Sequence, residues 1–179
     1  DGTTVHDITH PSYMIQVAYY DSYSGSGNGF DGCWGTYPYL PSGNIISSDI
    51  NSGSGGSGRL LIYGRDFQQA CYLKGNVTDG ITSSPISNVS IEILSTTINE
   101  NTNLIGFYQT ASVNSGTFQV VFSAPGYTPD TLTVSLVNGV MTILDAVLFP
   151  PCNTFNIVTN NNVQICSDSS YSVGNSTYN

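Results

Sequence analysis

Apolar and polar residues alternate along several short runs of this chain. Within residues 85–93, P-I-S-N-V-S-I-E-I, the apolar positions are Val89, Ile91 and Ile93. Within 116–127, G-T-F-Q-V-V-F-S-A-P-G-Y, the alternating set is Phe118, Val120 and Phe122, and within 131–136, T-L-T-V-S-L, it is Leu132, Val134 and Leu136. Side chains two apart share one face of a strand, so each run predicts a strand with a buried side and a wet side. No segment sustains a 3.6-residue period. The expected fold class is all-β, with a small antiparallel β-sandwich at its centre.

The pattern divides the chain into four parts. Residues 1–64 carry strand-like runs at Thr3–Ile8, Met14–Tyr20, Ile45–Ser48 and Leu60–Tyr63, separated by Gly, Ser and Pro turns. Residues 65–73 read as a connector and residues 74–149 as the sandwich. Pro150 and Pro151 then stop any strand, because proline has no amide proton to give to a ladder. Residues 150–179 read as a linker and a further short β segment, with strands expected around Phe155–Thr159 and Val163–Cys166.

Charge narrows the partners. Only Arg59, Arg65 and Lys74 are basic against twelve acids, giving a net charge of −9. Nucleic acid is a poor partner for such a chain, since phosphate binding needs clustered Lys and Arg. No apolar run approaches the roughly 20 residues of a spanning helix, so no membrane insertion is expected. With 8% charged residues, solubility rests on Ser, Thr, Asn and Gly, a composition common in secreted and surface proteins. Cys33, Cys71, Cys152 and Cys166 permit three disulfide pairings, and none forms a C-x-x-C pair. Two structural disulfides are expected, Cys152 with Cys166 closing a short loop and Cys33 with Cys71 tying the first segment to the sandwich. Free buried thiols are the alternative.

Three family resemblances lie along the chain. G-N-V-T-D (75–79), P-I-S-N-V-S-I-E-I (85–93), G-F-Y (106–108) and F-S-A-P-G-Y (122–127) resemble the carboxypeptidase regulatory-like domain. That resemblance implies a transthyretin-like sandwich of about seven strands and an accessory module without catalytic residues. H-D-I-T-H-P (6–11), Y-Y-D-S-Y (19–23), W-G-T-Y-P-Y-L-P-S-G-N-I-I-S-S-D-I (34–50) and G-R-L-L-I-Y (58–63) look like the end of a choice-of-anchor B propeller of LVIVD-type repeats. The run V-Q-I-C-S-D-S-S-Y-S-V-G-N-S-T-Y (163–178) resembles the opening of a repeat from Bacteroidota surface proteins. Together they imply a fragment of a large, extracellular, secreted or cell-surface protein, of the kind exported by type IX secretion.

Candidate chemistry is sparse. His6 and His10 form an i,i+4 pair, but strand-like flanks and Pro11 keep the rings from sharing a metal as they would on a helix. Residues 53–58 satisfy G-x-G-x-x-G, yet a strand rather than a helix follows, so a flexible loop is expected. Asp49 and Asn51 begin like a calcium loop that then lacks its distal Glu, and an Asx-type turn is the default reading. Asp21 and Asp31 are further oxygen donors that could approach this calcium candidate in space. No Ser occupies a G-x-S-x-G elbow, and Glu92 and Glu100 are not placed to face one cleft. No catalytic residue and no cofactor, calcium aside, is expected.

Trp34, Tyr37 and Tyr39, with Tyr19, Tyr20, Tyr23 and Phe30, concentrate aromatic rings that suit sugar stacking, or packing between strands. Asp130-Thr131-Leu132 resembles the Bacteroidota O-glycosylation sequon, placing a glycan on Thr131. Asn76, Asn88 and Asn175 open N-x-S/T sequons that matter only in a eukaryotic host. The expected function is structural or adhesive: a spacer or fibre module whose partners are other domains of its own chain or copies of itself, assembling through strand donation. The alternatives are a carbohydrate- or peptide-binding module, or an accessory region of a secreted hydrolase.

Overall fold

A computed structural model of the chain describes residues 2–23, 32–50, 58–151, and the strand backbones at 171–173 and 176–178. Every regular element among them is a strand. In chain order these are β1 (Gly2–Asp7), β2 (Ile15–Asp21), β3 (Cys33–Tyr37), β4 (Ile45–Asp49), β5 (Arg59–Tyr63), β6 (Cys71–Asp79), β7 (Ser90–Ile93) and β8 (Asn99–Asn101). They continue as β9 (Phe107–Ser112), β10 (Gly116–Ser123), β11 (Asp130–Leu136), β12 (Met141–Ile143), β13 (Ala146–Leu148), β14 (Tyr171–Val173) and β15 (Ser176–Tyr178). The fold is all-β, as the alternation predicts, and a sandwich lies at its centre.

One sandwich sheet has the order β11-β10-β7-β8 and is antiparallel throughout. In the other, β6 pairs antiparallel with β9 on one side and parallel with β12 and β13 on its other side. Val89, Ile91, Ile93, Val120 and Phe122 are fully buried between the sheets, with Val134 and Leu136 nearly so. Leu73, Val77, Tyr108, Ala146 and Leu148 face them from the second sheet. Phe118 and Leu132, the outermost residues of their runs, are only partly buried against this core. Gly106 and Gly126 adopt positive φ (72° and 85°) in tight turns. A Cβ on Gly106 would sit 2.7 Å from the Val77 carbonyl oxygen, so glycine is required there twice over.

β12 and β13 are one strand interrupted at Leu144-Asp145, since both keep the same register against β6. The interruption has a local cause. The Tyr108 hydroxyl donates to the Leu144 carbonyl at 2.6 Å, which turns that carbonyl inward over Gly75. A Cβ on Gly75 would stand 1.9 Å from the same oxygen, so only glycine lets the two backbones approach. The Asn76 amide, which the ladder spacing would give to Leu144, donates instead to Asp145 Oδ1 at 2.7 Å. Burial, with Asp145 nearby, pushes the Tyr108 pKa far up, keeping its proton available for this bond.

The N-terminal residues build two further layers. β1 and β2 form a hairpin whose Tyr13, Ile15 and Val17 pack on Ala70, Tyr72 and Ala111, the outer face of the β6–β9 sheet. Beyond the hairpin lies the antiparallel sheet β3-β4-β5. The sequence anticipates four of these five strands and misses β3. These strands divide into a pair and a triplet, which meet where Thr3 approaches Cys33 and Thr36. β14 and β15 pair as a separate hairpin.

Asp7 pins the hairpin down. It is 8% exposed, and its Oδ1 accepts the Thr9 amide (2.9 Å) and Thr9 hydroxyl (2.6 Å), while Oδ2 accepts the Ala70 amide (2.8 Å). Burial alone would raise its pKa, but the Thr9 hydroxyl and the two amides outweigh that and hold it below the ordinary value. Tyr13 adds a second tie, its hydroxyl donating to Glu100 Oε1 at 2.8 Å.

Two outcomes follow from these contacts. Because the folded-state pKa of Asp7 lies below the unfolded value of about 3.9, its contribution is complete above that pH and is lost as pH falls through the lower folded value. The protection of the Ala70 amide, measured against its intrinsic exchange rate at each pH, should therefore fall below about pH 4, whereas in Asp7→Asn it should be low already at pH 7. At the interrupted strand, Tyr108→Phe strands a carbonyl and should cost about 1–3 kcal/mol in urea unfolding. Gly75→Ala should cost more, since backbone must move.

Candidate functional site

The exposed aromatic surface is the principal candidate. β3 is an edge strand, and Trp34 (61% exposed), Tyr37 (50%) and Tyr39 (77%) stand on or beside it. The Tyr37 and Tyr39 rings meet edge to face at 5.6 Å, a geometry aromatic pairs favour. Tyr37 pairs in register with Ile46, and Ile46 with Ile62, so the apolar stripe crosses all three strands of the sheet. Leu60 and Ile62 on β5 extend it and are exposed. Trp34, Tyr37 and Tyr39 thus keep at least half of their surface exposed. Their exposure could not be read from the sequence, because the same alternation describes a sheet covered on both faces. Tyr19 and Tyr20 are also half-exposed, and Tyr20 packs on Tyr63 at 5.2 Å. A shallow cleft of about 80 Å³ lies between Thr3, Val5 and Tyr20 of the hairpin and Ile45, Tyr63 and Phe67.

Of the calcium candidates, Asp49 and Asp21 lie among the described residues. Asp49 is buried, accepts the Ser22 hydroxyl at 2.8 Å, and pairs with the Arg59 guanidinium at 3.3 Å. Arg59 also donates to the Ser22 carbonyl at 2.6 Å. A carboxylate already holding a guanidinium is poorly disposed to a second cation, so Asp49 serves to fasten β4 to β5 and to the chain after β2. Asn51 and Asp31 lie outside the described residues. Among the described residues, no three His, Cys, Asp or Glu side chains converge as a metal site would require. His6 sits on β1, and the His10 ring packs edge-on against Tyr72 at 4.3 Å.

Cys33 and Cys71 are thiols, not a disulfide. The physical reason is layering, since Cys71 lies in the sandwich core while Cys33 lies on β3, with the hairpin between them. Cys33 Sγ is 3.5 Å from the hydroxyls of Thr3 and Thr36. Burial would raise its pKa, but these hydroxyls and that of Ser47 bring it below the ordinary value. Burial raises that of Cys71. Cys152 and Cys166 lie outside the described residues. Thr131 is exposed on β11, the outer strand of its sheet, with its backbone amide bonded to Asp130 Oδ1.

Sequence reasoning missed the residues that hold the layers together. Asp7, Tyr108 and Asp145 carry no chemical motif, although Asp7-Ile8-Thr9 has the spacing of an Asx turn and could have been noticed. Tyr72 was likewise invisible. It is fully buried between sandwich and hairpin, its hydroxyl has no hydrogen-bond partner among the described residues, and burial followed by the nearby Asp7 charge raises its pKa.

No curated protein matches the chain. Among solved structures, GBS52, the minor pilin of the Gram-positive pathogen Streptococcus agalactiae, aligns with a TM-score of 0.42 and 13% identity. That alignment covers 69% of this chain and 66% of the pilin structure, so the chain spans just under two thirds of that protein's length. Residues 73–150, the span of the sandwich, match the family model of the CarboxypepD_reg-like domain.

Proposed function

We infer that this chain is a non-enzymatic structural module of a larger extracellular protein, a spacer within a stalk, fibre or adhesin at a bacterial surface. One observation carries the reading. The first strand of the sandwich, β6, and its last, β12–β13, lie side by side and run parallel. The chain therefore reaches the module at one pole, where the Gly139 amide bonds the Ala70 carbonyl, and leaves at the opposite pole, where the Thr128 amide bonds the Phe149 carbonyl. Nine residues of β6 at about 3.3 Å each place those poles roughly 30 Å apart. A folded unit with its ends at opposite poles lengthens the protein that contains it; one with both ends together does not.

The match of residues 73–150 to a regulatory-like domain family supports an accessory role, and the acidic, Lys- and Arg-poor composition supports secretion. The reading requires no cofactor. Self-association is part of the proposal: β11, the outer strand of its sheet, has no charged residue after Asp130, and such an edge is a template for a strand from another copy. A glycan on Thr131 would stand on that edge and limit such pairing. The carbohydrate- or peptide-binding alternative is favoured by the exposure of Trp34, Tyr37 and Tyr39.

Spin labels at Gln68 and Pro151, introduced through noncanonical side chains, should give one narrow distance distribution near roughly 35 Å. A broad distribution, or a distance well short of that, contradicts a stiff spacer. On a glycan array, binding by the native chain that Trp34→Ala abolishes would establish the ligand-binding alternative, and no binding by either form would remove it.

A further inference from the structure

We propose that the parallel pairing of β6 with β12–β13 is a shear clamp, and that bearing tension is the function of this module. The inference rests on the spacer reading and adds what such a spacer must withstand. Tension along the chain reaches β6 at Cys71 and leaves β13 at Leu148. Those are opposite ends of two adjacent parallel strands, so the load runs along the strands while the hydrogen bonds between them lie across it. Every bond of the ladder then carries the load together. In the opposite geometry, with both pulling points at one end of the pair, the bonds would open singly from that end.

The ladder spans the whole length of β6 in one register, with a single interruption. Its upstream end is the Tyr72 amide on the Val140 carbonyl (3.0 Å), its middle is the Leu144 amide on the Lys74 carbonyl (2.9 Å), and its downstream end is the Gly80 amide on the Leu148 carbonyl (2.9 Å). At the one place where backbone pairing breaks, side chains complete it. The Asp145 carboxylate takes the Asn76 amide at 2.7 Å, a charge-assisted bond, and the Tyr108 hydroxyl takes the displaced Leu144 carbonyl at 2.6 Å. Tyr108 belongs to β9 on the other side of β6, so this bond straps the last strand to the third strand of the sheet across β6. The core face of the pair, Leu73, Val77, Ala146 and Leu148, is dry, which keeps water from replacing bonds as they stretch.

The N-terminal hairpin lies upstream of the clamp, in series with it. It rests on the outer face of β6 and β9 through the Asp7 and Tyr13 ties and a small apolar cluster. Under tension it detaches first and as a separate event, handing the load to β6.

Single-molecule pulling on the full chain tests the clamp, because rupture under force reads the unfolding barrier. With handles at the two chain termini, the event that frees residues 71–148 should release roughly 250 Å of slack, at about 3.5 Å per residue. Its force should be several-fold higher than the force that opens the sandwich through handles at Gln69 and Asn138, which both sit at the upstream pole. Equal forces in the two geometries, or a lower force from the termini, would overturn the clamp. A narrow label distance would in that case leave the spacer reading intact, so the two failures are distinguishable. Asp145→Ala, at an exposed position, should lower the force from the termini and spare the force from Gln69 and Asn138. An equal loss in both would overturn the place given to Asp145 in the clamp.

Discussion

The structure depends on one non-local pairing, the parallel alignment of β6 with the interrupted strand β12–β13. It closes the second sheet of the sandwich, seats Ala146 and Leu148 in the core, and sends the chain in at one pole and out at the other. Parallel neighbours cannot be joined by a tight turn and need a long crossover. Here that crossover is the rest of the sandwich itself, β7 through β11. The two terminal strands therefore pair across a separation of about 70 residues, and the contact that would carry load is the one that closes the module.

The pairing succeeds because three residues solve one local problem. A carbonyl turned inward at Leu144 would be a buried, unpaired acceptor and would leave the Asn76 amide without a partner. Tyr108 satisfies the first and Asp145 the second, while Gly75 gives the room. Each is ordinary alone. Together they hold an irregular strand in register across its whole length, where a buried carbonyl left unpaired would cost about 1–3 kcal/mol.

Much of the sandwich was legible in the sequence. The alternations at 89–93, 118–122 and 132–136 predict burial that the structure bears out in Val89, Ile91, Ile93, Val120, Phe122, Val134 and Leu136. Those signals are local, a matter of side chains two apart. What was not legible is contact between distant elements. β12 and β13 have three residues each, too few for a periodicity, and nothing in M-T-I or A-V-L states that they pair parallel with a strand about 70 residues earlier. β3 was missed because Gly35 interrupts it and its aromatic residues read as a cluster rather than a strand. The exposure of Trp34 and Tyr37 depends on which face of a sheet is covered, which is a tertiary fact. The expected Cys33–Cys71 tie failed for the same reason, since the intervening hairpin layer is set by packing and not by spacing.

The central claim is the parallel juxtaposition of the first and last strands of the sandwich, and solution NMR reads it directly. Couplings across hydrogen bonds should connect the Leu144 amide with the Lys74 carbonyl and the Gly80 amide with the Leu148 carbonyl. Absence of both couplings, with fast solvent exchange of the Gly80 amide or cross-strand contacts that put residues 141–148 antiparallel to another strand, would contradict it.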